Sequence, residues 1–250
     1  MTPGKSLRGS IQPSTVDMVH VVTEASQIPF PHASRRLVQA DAFMILAWIG
    51  NTKLPNWHRN VDVDELWIHY QGPVVTVTTD QSPTPIPLRE GEMLLIPRGV
   101  LHTSDAAAEP LAIIAIAERR IVDYDRRAVD PKGARLDAAE PLAAVSWNDE
   151  IGRYTPPWRY PQVRLLSADA FDVEVMARAE GSLRPRGSNP RFDEVWLVMK
   201  GRVQIECETE GDGPIVEAGW MARIPAGLLH RPVALEPWTA ALVLRGKDPK

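Results

Sequence analysis

Cysteine is nearly absent: Cys207 stands alone among 250 residues. A single thiol excludes an intramolecular disulfide framework and any multi-cysteine zinc site. Within a Val/Ile-rich segment it reads as a small buried hydrophobe. Long apolar runs are missing as well. The longest, residues 111–117, falls far short of the ~20 residues a membrane span requires. Residues 1–12 lack the apolar core of a secretory signal, so a soluble, cytoplasmic protein is expected. Charge of neither sign accumulates: 28 basic residues face 32 acidic ones without a long run of either, which leaves no nucleic-acid footprint. Sustained 3.6-residue periodicity is also lacking, and helix is the weaker expectation.

What the chain does have is turn chemistry and repetition. Twenty-three prolines and 16 glycines punctuate short apolar segments, the texture of an all-β protein. Leu37-Val-Gln-Ala-Asp-Ala-Phe43 recurs as Leu165-Leu-Ser-Ala-Asp-Ala-Phe171. Asp64-Glu-Leu-Trp67 recurs as Asp193-Glu-Val-Trp196, and Gly72 as Gly201. Ile96-Pro-Arg-Gly-Val-Leu-His102 recurs as Ile224-Pro-Ala-Gly-Leu-Leu-His230. The order is kept throughout, so the chain reads as a tandem duplication. Within a unit, residues 65–70, 73–79, 91–97 and 111–117 carry the β-branched and aromatic content of strands. The expected organisation is an N-terminal arm at 1–34, a first domain at 35–117, a connection at 118–162 and a second domain at 163–250. A short helix is expected near residues 136–145.

The chemistry-bearing stretch is His58-Arg-Asn60-Val-Asp-Val-Asp-Glu65, then Gly72, then Pro97-Arg-Gly-Val-Leu-His102. It resembles the two motifs of the cupin superfamily, His-x-His-x4-Glu-x6-Gly and Pro-x-Gly-x2-His, with Asn60 in place of the second histidine. Two such motifs in register, each present twice, identify the chain as a bicupin: all-β, two jelly-roll β-barrels in tandem. The resemblance implies a metal held by His58, Glu65 and His102. Two imidazoles and a carboxylate form a facial triad with open positions, which suits Fe(II) and equally Zn, Ni, Mn or Co. The competing reading makes His58 and His102 hydrogen-bonded core histidines. In the second unit Gly187 replaces the first histidine. Glu194 then pairs with His230 or Arg191, and one metal per chain is expected rather than two.

Neighbouring residues extend the candidate site. Asn60 can hydrogen-bond a bound water or serve as a weak further ligand. Period-2 alternation sends Trp67 and His69 to the face of Glu65. Trp67 can stack on a planar substrate or fill the core, and His69 can be an acid–base group or a structural histidine. Arg59 and Arg98 flank the ligands, where either could clamp a substrate carboxylate.

The same stretch is similar to homogentisate 1,2-dioxygenase-like cupins, with 3-hydroxyanthranilate and gentisate-type ring-cleaving dioxygenases as further two-cupin relatives. That similarity implies a non-haem Fe(II) dioxygenase using O2 to cleave a small hydroxylated aromatic acid. A Zn-, Ni- or Mn-dependent isomerase, lyase or hydrolase and a non-catalytic small-molecule-binding cupin are the alternatives. The expected partners are a small-molecule substrate and O2, with no nucleic acid or membrane, and a homodimer is expected by analogy.

Overall fold

A computed structural model describes residues 16–28, 33–50, 57–82, 84–106, 112–118, 124–125, 142–152, 162–178, 181–183, 185–208 and 213–248. Two six-stranded antiparallel sheets dominate it. The first runs Val145–Ser146, Glu92–Ile96, Glu65–Gln71, Ala112–Glu118, Met44–Gly50, Ala33–Gln39 from edge to edge. The second runs Asp17–His20, Trp220–Ile224, Glu194–Lys200, Thr239–Gly246, Phe171–Arg178, Gln162–Ser167. The two orders correspond strand for strand. Each large sheet faces a smaller one. In the N-terminal half this is Ile86–Leu88, Val75–Thr79, His102–Ala106; in the C-terminal half it is Gly181–Ser182, His230–Ala234, Arg202–Cys207, Ile215–Glu217.

Side-chain alternation explains why these strands bury both faces. In Glu65–Gln71, Trp67 points between the two sheets of its own half, against Val75, Val77, Leu88 and Ile96. Leu66 and Ile68 point the other way, into a cluster shared with Phe171, Val173 and Val195 of the C-terminal half. Glu194–Lys200 repeats the scheme, with Trp196 and Val198 inside its own half and Val195 and Leu197 on the shared side. Gly72 and Gly201 end the turns after these strands at φ of 108° and 73°, a region glycine enters without strain. A Cβ on Gly201 would lie 2.5 Å from Thr239 Oγ1.

The repeated Ala-Asp-Ala-Phe segment builds the seam between the halves. Ala40 N–H donates to the Phe43 carbonyl and Ala168 N–H to that of Phe171, each at 2.9 Å. These tight turns aim the two phenylalanines at each other, with ring centroids 5.0 Å apart. Such tilted aromatic pairs add to the free energy of burial itself.

Short strands are exchanged along the chain. Asp17–His20, from the expected arm, edges the second large sheet, and Val145–Ser146, from the expected connection, edges the first. Each leads into a six-residue helix, Val21–Ser26 or Trp147–Gly152. Of the helix expected near 136–145, residues 136–141 lie outside the described residues, while Val145 is already strand and the helix begins at Trp147. No helix among the described residues is long and apolar enough to cross a membrane.

Candidate metal centre

Backbone pairing places the first ligand candidates face to face. His58 and His102 form an isolated antiparallel bridge, with N–H to carbonyl distances of 3.0 and 2.9 Å. Their rings stand 4.1 Å apart. Glu65 opens its strand and pairs in register with Ile96. The Pro97-Arg-Gly turn that delivers His102 is pinned from both sides: Gly99 N–H donates to the Asn60 carbonyl at 2.6 Å and Arg98 N–H to Asp64 Oδ1 at 3.0 Å.

His58, Glu65 and His102 are 9%, 6% and 1% exposed. They each offer a ligand atom within 4.8 Å of the others, the one such group among the described residues. Two donors at a metal–nitrogen distance of ~2.1 Å span at most about 4.2 Å, so a small contraction closes the site on an ion. Tautomer and orientation are preset. His102 Nδ1–H donates to the Val100 carbonyl at 3.1 Å, which leaves Nε2 as the ligating atom. That Nε2 is buried without an aligned hydrogen-bond partner and lies 3.2 Å from Glu65 Oε2. Asn60 Nδ2 donates to the same oxygen at 3.1 Å, while its Oδ1 is buried with no partner.

Burial alone would raise the pKa of Glu65, but the adjoining His102 and the more distant His58 outweigh it and hold the carboxyl below its usual range. Burial alone would lower His102, and Glu65 together with the Val100 carbonyl reverses that, so the imidazole titrates above its usual range. The pair thus attracts positive charge to a dry position. This donor set fits a divalent metal.

The other sequence candidates divide. Trp67, 1% exposed, stands edge-on to the His102 ring at 5.8 Å and beside Trp48 at 6.1 Å, as a wall next to the triad. His69 is fully buried, and its Nε2 donates to the Pro73 carbonyl at 2.7 Å. It lies four residues beyond Glu65, roughly 13 Å along the strand. Arg59 is exposed on the strand Arg59–Asn60, paired with Tyr124–Asp125, and Arg98 is exposed in the turn before His102.

The C-terminal half carries the same frame with different occupants. Gly187 takes the bridge position opposite His230, whose Nδ1–H donates to the Leu228 carbonyl at 2.9 Å. His230 Nε2 is 3.5 Å from Glu194 Oε2, as one of the two expected pairings had it. The other pairing is corrected. Arg191 binds Asp248 through both terminal nitrogens, at 2.6 and 2.7 Å, because its side chain projects outward. The cation beside Glu194 is Arg245, with Nε 3.6 Å from Glu194 Oε1 and Nη1 2.8 Å from Glu174 Oε2. Sequence reasoning missed Arg245 because it sits on the last strand, far from either motif. Its place is set by register, opposite Glu194, where Glu118 stands opposite Glu65. The turn-pinning Asp64 and its counterpart Asp193 were likewise passed over, although both stand next to the motif glutamate in each repeat.

No family model and no curated protein matches the sequence. Solved structures do. A cupin 2 conserved barrel domain protein from Leptotrichia buccalis superposes with a TM-score of 0.67 at 15% identity, over 92% of this chain and 96% of that one. Salicylate 1,2-dioxygenase from Pseudoaminobacter salicylatoxidans, as its G106A mutant in complex with gentisate, gives 0.70 at 11% identity, over 95% and 84%. Protein Ylba from E. coli gives 0.65 at 11% identity, over 98% and 96%. The fold is that of cupin-domain proteins.

Proposed function

We propose that the chain is a bicupin whose N-terminal barrel holds one divalent metal, Fe(II), on His58, Glu65 and His102. In this reading it is a non-haem dioxygenase acting on a small hydroxylated aromatic acid. The observation that carries the proposal is the buried two-histidine, one-carboxylate cluster in a fold shared with a salicylate 1,2-dioxygenase. Fe(II) bound there would supply open positions at which an aromatic and O2 can meet.

The chain's own residues do the positioning. The Val100 carbonyl fixes the His102 ring, and Asn60 holds Glu65 Oε2 so that the carboxylate cannot rotate freely. Trp67, Trp48, Val75 and Val77 keep the interior dry. Arg59 and Arg98, each adjacent in sequence to a metal ligand or its turn and both exposed, are the proposed contacts of a substrate carboxylate. His69 is left out of the mechanism, because its ring is engaged by its own turn and lies beyond reach of the triad.

The test is anaerobic loading with Fe(II), followed by oxygen uptake with salicylate, gentisate, homogentisate, catechols and aminophenols. Substrate-dependent O2 consumption that is lost in His102→Ala is expected. No consumption with any of them would overturn the dioxygenase reading, and turnover without O2 on Zn, Ni or Mn would replace it with Lewis-acid chemistry.

A further inference from the structure

A second cleft, separate from the triad, lies where the two halves meet the helix Trp147–Gly152. It has a volume of about 380 Å³ and is lined by Tyr70, Gln71, Glu90, Gly91, Trp147, Asn148 and Met199. That volume suits a small organic molecule. The N-terminal half supplies Tyr70 and Gln71 from the end of the strand that Glu65 opens, and Glu90 and Gly91 from the next turn. The C-terminal half supplies Met199, the repeat counterpart of Tyr70.

The lining has one formal charge, the Glu90 carboxylate, and no cationic side chain. Among the described residues Glu90 makes no ion pair. The side chains of Gln71 and Asn148 and the Tyr70 hydroxyl make no hydrogen bond there. The Trp147 indole N–H is buried against Gly91 and also lacks a partner. That N–H is closed off by Gly91, and an ammonium has no lone pair to offer it, so it takes no part in the charge preference of the cleft. Tyr70 reports the field of the cleft: burial, reinforced by the charge of Glu90, holds its hydroxyl above the ordinary tyrosine range. A lone carboxylate beside two aromatic rings favours a cation over an anion, since the ring faces attract positive charge as well. Met199 and the indole provide apolar contact for the rest of a ligand.

We propose that this cleft binds a small organic amine, its ammonium on Glu90 and its apolar body against Trp147 and Tyr70. It is a site distinct from the metal centre. The proposal does not rest on the dioxygenase reading, because none of its residues belongs to the triad.

The test uses phenethylamine as probe and 3-phenylpropionate, of similar shape and opposite charge, as control. Binding is read by NMR of the full-length protein labelled at indole nitrogen, with the Trp147 signal assigned through Trp147→Phe. A saturable shift of that signal with phenethylamine and none with 3-phenylpropionate is expected. Glu90→Gln, an exposed substitution that leaves the fold intact, should weaken binding at least tenfold. His102→Ala should leave it unchanged, which separates this site from the metal centre. Equal response to both probes, unchanged affinity in Glu90→Gln, or loss of binding in His102→Ala would each overturn the proposal.

Discussion

Glu65 and Glu194 open equivalent strands, and each faces a histidine whose Nδ1–H is held by the carbonyl two residues earlier. The turns carrying those histidines are pinned alike, by an asparagine carbonyl to a glycine N–H and by an aspartate to the preceding N–H. With the frame held constant, the contrast lies in what meets the carboxylate. Around Glu65 stand two imidazoles, an amide and the Trp67 indole; around Glu194 stand one imidazole, the Trp196 N–H at 3.2 Å and the Arg245 guanidinium. A buried carboxylate needs a positive or hydrogen-bonding partner. The C-terminal half meets that need with a built-in cation, and the N-terminal half leaves a position that a metal ion can take. Retaining a fold and retaining a site are therefore separate demands on the same scaffold.

Four tests sharpen this contrast, and the seam gives the largest effect. Phe171→Ala removes a fully buried ring from the contact with Phe43 and should cost about 3–5 kcal/mol in denaturant unfolding, because both halves pack there. Unfolding of the C-terminal half alone, with the N-terminal half unaffected, would show that the halves are not coupled through this pair.

Asn60→Ala should come next, lowering metal affinity about 10–100-fold, as loss of a group that orients a ligand does. Asn189→Ala should leave metal affinity unchanged, since Asn189 Nδ2 donates to the Gly246 carbonyl rather than to a carboxylate. Equilibrium titration of the two variants with the same ion decides between them.

A gain of function tests the C-terminal half. A Cβ on Gly187 meets nothing within 4 Å, so a histidine side chain has room to start there. Gly187→His combined with Arg245→Ala should raise metal binding above wild type by a second, weaker site. Gly187→His alone should not, because Arg245 still neutralises Glu194. Binding by the single variant would show that the missing imidazole was the sole defect.

The smallest effect concerns acid. Burial alone would raise the pKa of Asp172, but Lys247 Nζ at 2.6 Å and Ser167 Oγ at 2.7 Å outweigh it and hold the carboxyl below its ordinary value. A depressed folded-state pKa gives stability that is present above the unfolded pKa and lost as pH falls through the folded one. Asp172→Asn should therefore lose stability at neutral pH and show a shallower acid limb in thermal unfolding than wild type. The N-terminal half has Met44 at the equivalent position and so lacks this carboxylate.

Much of this was legible in the sequence, for identifiable reasons. The strands announced themselves because both faces are buried, which writes continuous apolar stretches such as residues 195–199 inside Glu194–Lys200. The triad was legible because its members sit in two short segments, 58–65 and 97–102, that resemble the two cupin motifs, although the His58–His102 bridge that joins them spans 44 positions. Ala-Asp-Ala-Phe was visible as a repeat, but its role as the seam was not, since only three-dimensional packing brings Phe43 to Phe171. Arg245 could not be read at all: its partner lies 51 positions earlier, and only strand register joins them. The edge strand Asp17–His20 was missed because four residues carry too little periodicity and its partner belongs to the other half.

We propose that the N-terminal half holds a metal where the C-terminal half holds the Arg245 guanidinium. Metal content per chain, measured by elemental analysis on wild type, His102→Ala and His230→Ala prepared identically without oxygen, tests it most directly. About one ion per chain is expected in wild type and in His230→Ala, and close to none in His102→Ala. Two ions per wild-type chain, or loss of the ion in His230→Ala with retention in His102→Ala, would contradict it.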